Sequence, residues 1–102
     1  MASLRFRERT LIEEFLEMGS GYVLNFSDRT FADFFRDFNV EIDGAPYLEG
    51  HSGSKANRMR SFWDRESDRL VGEVLQEIIK YAESYRPGHP GADGCRAIAT
   101  RL

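Results

Sequence analysis

Apolar residues recur along this chain at three- and four-residue intervals, the spacing that lines one side of an α-helix. Leu11, Ile12, Phe15, Leu16 and Met18 share one stripe, with Glu13, Glu14 and Glu17 mostly outside it, which predicts a helix from about Arg7 to Met18. Gly19-Ser20-Gly21 ends it, and Gly19 suits the left-handed position that often closes a helix. The sharpest stripe follows: Phe31, Phe34, Phe35 and Phe38 fall at i, i+3, i+4 and i+7, while Asp33, Arg36 and Asp37 face away. Thr30 is the expected cap of that helix, with Asp33 completing a capping-box pattern.

Ser54 is a good N-cap for a third helix, whose stripe is Ala56, Met59, Phe62 and Trp63 and whose end is expected near Arg65 or Glu66. Ser67 or Asp68 caps a fourth, running to about Tyr85. Its apolar residues Leu70, Val71, Val74, Leu75, Ile78, Ile79 and Ala82 cover nearly half the circumference, which predicts a central helix packed against two neighbours. Between the stripes lie two alternating stretches. Tyr22 to Phe26 reads as a short strand or a strap over the core, and Val40 and Ile42 flank Glu41 as in an edge strand. The connection from Asn39 to Gly53, with Asp43-Gly44 and Pro46 as turn signals, is long for a compact bundle, and such loops often carry function.

The expected fold is therefore all-α, a compact bundle of about four helices, with a minimal two-stranded β element from Tyr22–Leu24 and Glu41–Ile42 left open. A winged-helix-like α+β arrangement is the alternative. Arg86-Pro87-Gly88-His89-Pro90-Gly91 breaks the periodicity. The expected organisation is a helical domain over 1–85, a linker over 86–94, and residues 95–102 as the start of a following element or a tail. The chain then reads as a module of a longer protein.

Composition narrows the classes. Of 102 residues, 41% are apolar and 13% aromatic, enough to build a core and to exclude disorder. The net charge of −3 gives no general attraction to nucleic acid. One cysteine, Cys95, cannot form an internal disulfide. No segment approaches the roughly 20 apolar residues of a membrane span, and no signal-peptide core is present, so a cytoplasmic protein with no membrane role is expected.

The search for chemistry returns little. His51 and His89 are far apart in polar, Gly-rich stretches and read as exposed loop residues, with no zinc-type spacing. Gly19-Ser20-Gly21 is not a nucleophile elbow, and the remaining serines sit where caps belong. Gly50 to Lys55 is a Gly/Ser-rich loop entering a helix, a weak candidate for an anion site that lacks Walker spacing. Lys55, Arg58, Arg60 and Arg65 make the third helix basic, but they project to both edges of its apolar stripe and along it, unlike a groove-reading helix. Phe62 and Trp63 are adjacent, so either both are core or one is an exposed anchor.

Two stretches carry a resemblance. Ser20-Gly21-Tyr22-Val23-Leu24-Asn25-Phe26-Ser27-Asp28-Arg29-Thr30-Phe31, followed by Phe34-Phe35, is one. Gly53-Ser54-Lys55-Ala56-Asn57-Arg58-Met59-Arg60-Ser61-Phe62-Trp63, followed by Val71-Gly72-Glu73-Val74-Leu75, is the other. Together they resemble an N-terminal domain of AbiJ-like bacterial abortive-infection proteins, over about Thr10 to Tyr85. The resemblance implies an adaptor, sensor or oligomerisation module joined to varied downstream domains, and supplies no catalytic residues. The expected function is thus a non-catalytic interaction module with no cofactor and no metal, binding a protein partner or itself. Tyr47, Lys55, Arg58, Arg60, Trp63 and Arg65 are its candidate partner-binding residues. A nucleic-acid-binding module built on the basic third helix is the alternative.

Overall fold

The computed structural model describes residues 2–48 and 53–102. Among them the chain is all-α: α1 spans Phe6–Phe15, α2 Asp28–Arg36, α3 Lys55–Arg65, α4 Asp68–Tyr85 and α5 Ala92–Arg101. Short 3-10 turns at Met18–Ser20 and Ala45–Tyr47 complete the list of regular elements, and no strand is present among the described residues. Among the described residues the helix count is five rather than about four, and neither the two-stranded element nor the wing forms.

Serine chemistry sets three of the helix starts. Ser27 caps α2, accepting from the Thr30 amide at 3.1 Å while Thr30 Oγ1 accepts from the Ser27 amide at 2.9 Å. Thr30 is thus the reciprocal partner in the capping box and not the cap, and α2 begins three residues earlier than expected. Ser54 and Ser67 cap α3 and α4 through the Asn57 and Leu70 amides. The first helix stops sooner than its stripe, because Glu17 and not Gly19 takes the left-handed conformation after the cap, at φ 56°.

The core gathers around α3. Ala56, Met59, Phe62 and Trp63 are all at 0% exposure, so both adjacent aromatics are interior. Phe31, Phe35 and Phe62 form an edge-to-face chain with ring centroids 5.0 Å apart at each step. Ile12, Phe15 and Leu16 close the core from α1, and Val71, Val74, Leu75, Ile78, Ile79 and Ala82 from α4. The 22–26 stretch is a strap: Val23 and Phe26 are buried, Tyr22 is exposed, and the Leu24 amide donates to the Leu16 carbonyl at 2.8 Å. Val40 and Ile42 pin the start of the long connection into the same core as single anchors, since Asn39 turns the backbone left-handed at φ 59°.

Residues 86–94 do not separate two bodies. The His89 ring lies on Phe15 with centroids 4.9 Å apart, and its Nε2–H donates to the Phe15 carbonyl at 2.7 Å. Beyond it, α5 packs on α4 and α1 and buries Ala92, Cys95, Ile98 and Ala99. At Gly72 of α4 a Cβ would meet the Ala99 carbonyl and Leu102 Cβ, both at 3.1 Å, so this glycine is the notch that seats α5. Arg101 then reaches the other end of the chain, pairing with Glu8 at 2.6 Å and donating to the Ser3 carbonyl at 2.9 Å. The radius of gyration, 12.4 Å, matches the roughly 13 Å expected of one globule of this length.

Candidate functional site

The structure turns most of the basic third helix inward. The Arg58 side chain is 6% exposed. Its Nη2 donates to Asp28 at 2.7 Å, its Nη1 to Asp43, and its Nε to the Gly53 carbonyl at 3.0 Å, while its guanidinium lies 5.4 Å from the Phe31 ring centroid. Lys55 is also buried, with Nζ 3.7 Å from Asp28 and 4.9 Å from the centroid of the exposed Tyr22 ring. Arg60 forms a two-pronged pair with Glu13, at 2.8 and 3.2 Å. Arg65 is exposed at the helix end and is also engaged. Lys55 and Arg58 hold the strap, the start of α2 and the long connection against α3, Arg60 ties α1 to it, and the Asp28 carboxyl is held below its ordinary range chiefly by the hydrogen bond from Arg58.

Tyr47 is half-buried beside Phe62 and donates its hydroxyl to Glu66 at 2.7 Å. Burial first, and then the bond to Glu66, pushes its phenol up to about 12. Trp63 is enclosed and offers no surface to a partner, so it does not serve as the partner-binding residue it was a candidate for, and of the two readings of the Phe62–Trp63 pair it is the core one that the fold shows. The sequence pattern that proposed these residues as one outward patch missed the carboxylates of α1, α2 and the connection, which are distant in sequence and meet α3 only in the fold.

Other candidates are resolved locally. Glu49 to Ser52, and with them His51 and most of the Gly50–Lys55 anion-loop candidate, lie outside the described residues. His89, expected to be exposed, is a half-buried clasp whose Nδ1 is enclosed without a partner. Cys95 is buried, and that burial pushes its thiol up to about 11, far from the range of a reactive thiolate. Among the described residues no three His, Cys, Asp or Glu side chains converge as metal ligands would, and no helix is long and apolar enough to cross a membrane.

A concave surface lies elsewhere, along α4. Two adjoining hollows of 470 and 520 Å³ share Phe38, Glu77 and Lys80. The first continues over Gly72 to Ala99 and Leu102 of the C-terminal end, and the second is floored by Phe34, Phe38 and Tyr81 and edged by Asp37. Phe34 of α2 and Phe38, which falls in the turn just after that helix and not on its stripe, are packed against the core yet only partly buried, whereas Phe31 and Phe35 are fully enclosed. Among the lining residues, Lys80 pairs with Glu77 at 3.4 Å and Arg69 with Glu73 at 3.2 Å. Asp37, at the C-cap of α2, has no cation within pairing distance among the described residues. The sequence held one signal of this groove: Phe31, Phe34 and Phe35 on α2, with Phe38 just past its end, exceed what a single buried face needs.

Comparison of the chain with protein-family models, with curated proteins and with solved structures finds no match.

Proposed function

We propose that this chain is a non-catalytic protein–protein interaction module whose docking surface is the α4 groove. The observation that carries this reading is the arrangement of Phe34, Phe38 and Tyr81: three partly buried aromatics lining one hollow between helices, beside Asp37, Glu77 and Lys80. That is the make-up of surfaces that accept a protein segment through a few apolar anchors. The likeness of residues 20–31 and 53–63 to AbiJ-like N-terminal domains supports placing such a module in a bacterial abortive-infection protein, with any toxic activity in another domain.

Display selection of helical peptides against the purified chain tests the docking surface. Selected peptides are expected to shift the resonances of Phe38, Lys80 and Tyr81 and to lose binding to the Phe38→Asp variant. Peptides that all map away from α4 would remove the groove from consideration. The defence role has its own test: Phe38→Asp in the protein carrying this chain is expected to abolish phage protection at unchanged protein level.

Nucleic-acid binding is the second reading, and the geometry supports it less. Lys55, Arg58 and Arg60 already face carboxylates, so a phosphate backbone would have to displace internal partners. A gel shift at low salt is expected to show no complex; a complex that weakens steeply with added salt would favour this reading instead.

A further inference from the structure

The groove is acidic at its aromatic end, and the same molecule displays a group that fits it. Phe6, on the first turn of α1, is 87% exposed, the largest exposure among the big apolar side chains. Arg5 and Arg7 flank it, both exposed, and Arg7 has no carboxylate partner among the described residues. Opposite properties meet at the groove. Its floor is Phe34, Phe38 and Tyr81, and its unpaired edge is Asp37, placed where the carbonyl end of α2 already adds negative potential. An aromatic side chain with a guanidinium beside it satisfies both features at once, by apolar burial and by charge pairing.

We infer that the chain binds a second copy of itself, inserting Phe6 of one copy into the α4 groove of the other and setting Arg7 against Asp37. This rests on the groove being the docking surface. The start of α1 is tied to the end of α5 by the Arg101 bridge to Glu8 and Ser3, and Leu102 lines the adjoining part of the groove. The knob and the adjoining part of the groove are thus tied to the same C-terminal segment. Reciprocal exchange between two copies closes a twofold pair, which stops at the dimer instead of extending as a filament.

Sedimentation velocity and light scattering on the purified chain, from about 10 μM to about 1 mM, test this. The wild type is expected to form dimers. Phe6→Ala, a change at a side chain that supports no core contact, is expected to weaken dimerisation about tenfold or more with an unchanged circular dichroism spectrum. Arg7→Glu and Asp37→Arg are each expected to weaken it roughly threefold or more, and the double variant to recover most of the loss. A monomer over the whole range, or dimers indifferent to Phe6→Ala, would overturn the inference. So would a monomer that floats with anionic phospholipid vesicles only when Phe6 is intact, which would assign this knob to a membrane surface. In each of those cases the peptide selection still decides the groove on its own terms.

Discussion

Arg58 makes three hydrogen bonds from one guanidinium that sees almost no solvent. Its carboxylate partners are more than half exposed, so they can rehydrate when it is removed, and the loss is smaller than for a fully interior pair. Arg58→Ala is expected to destabilise the chain by about 2 kcal/mol, and Arg58→Lys to recover less than half of that, because an ammonium cannot span Asp28 and Asp43 together. Urea unfolding of the two variants measures both. Acid sensitivity belongs to the same scale. Glu8 is held below its ordinary range first by the Arg5 amide and then by Arg101, and Asp28 first by its bond from Arg58. The folded chain binds fewer protons than the unfolded one at these sites, so their contribution is present above about pH 4 and drains as pH falls through the depressed values. Glu8→Gln and Asp28→Asn are expected to flatten the fall of the urea midpoint below that pH. Cys95 gives a kinetic check of its burial: an aromatic disulfide reagent is expected to modify it at least about tenfold more slowly in the native than in the urea-unfolded chain.

At the scale of elements, α5 shows what periodicity could not reveal. Its buried residues are Ala92, Cys95, Ile98 and Ala99, a stripe too small and weakly apolar to announce a core helix, and two prolines and two glycines precede it. The contact works because Gly72 removes a side chain from α4, so that backbones approach and small residues suffice. A glycine inside a helix pattern reads as a cost until its neighbour is known. Gly72→Ala tests this. The helix-propensity gain of about 1 kcal/mol is expected to be outweighed by the collision with Ala99 and Leu102, giving a net loss of about 1 kcal/mol and increased exchange of the α5 amides. By contrast, the boundaries of α3 and α4 were legible almost to the residue, because a serine cap precedes each and large apolar residues recur inside. The adjacency of Phe62 and Trp63 was ambiguous for a definite reason. A helix buries two consecutive aromatics only when neighbours cover it on both sides, and that is a property of the assembly and not of its own 11 residues.

Across the whole molecule, charge is organised inward as much as outward. Arg60 meets Glu13, Arg86 meets Glu17, Arg96 meets Glu83 and Arg101 meets Glu8, each pair joining segments separated in sequence. The candidate patch of the basic helix dissolved for that reason, and the groove on α4 was hidden for the complementary one: it is bounded by α2, α4 and the end of α5, and no single stretch contains it. What the sequence carried was the all-α class and the central helices. What it lacked was the pairing of charges across the fold and the seat of the last helix.

Trp63, closed in on every side, with Arg9 5.7 Å from its ring centroid and the Ala2 amide bonded to its carbonyl, is the only indole in the protein. Its fluorescence therefore speaks for the centre of the globule alone. Native emission is expected at short wavelength, unmoved by a polar quencher such as iodide, and a shift to the red should coincide with the loss of helical signal as denaturant rises. A red shift that came before that loss would mean that the interior loosens while the helices persist.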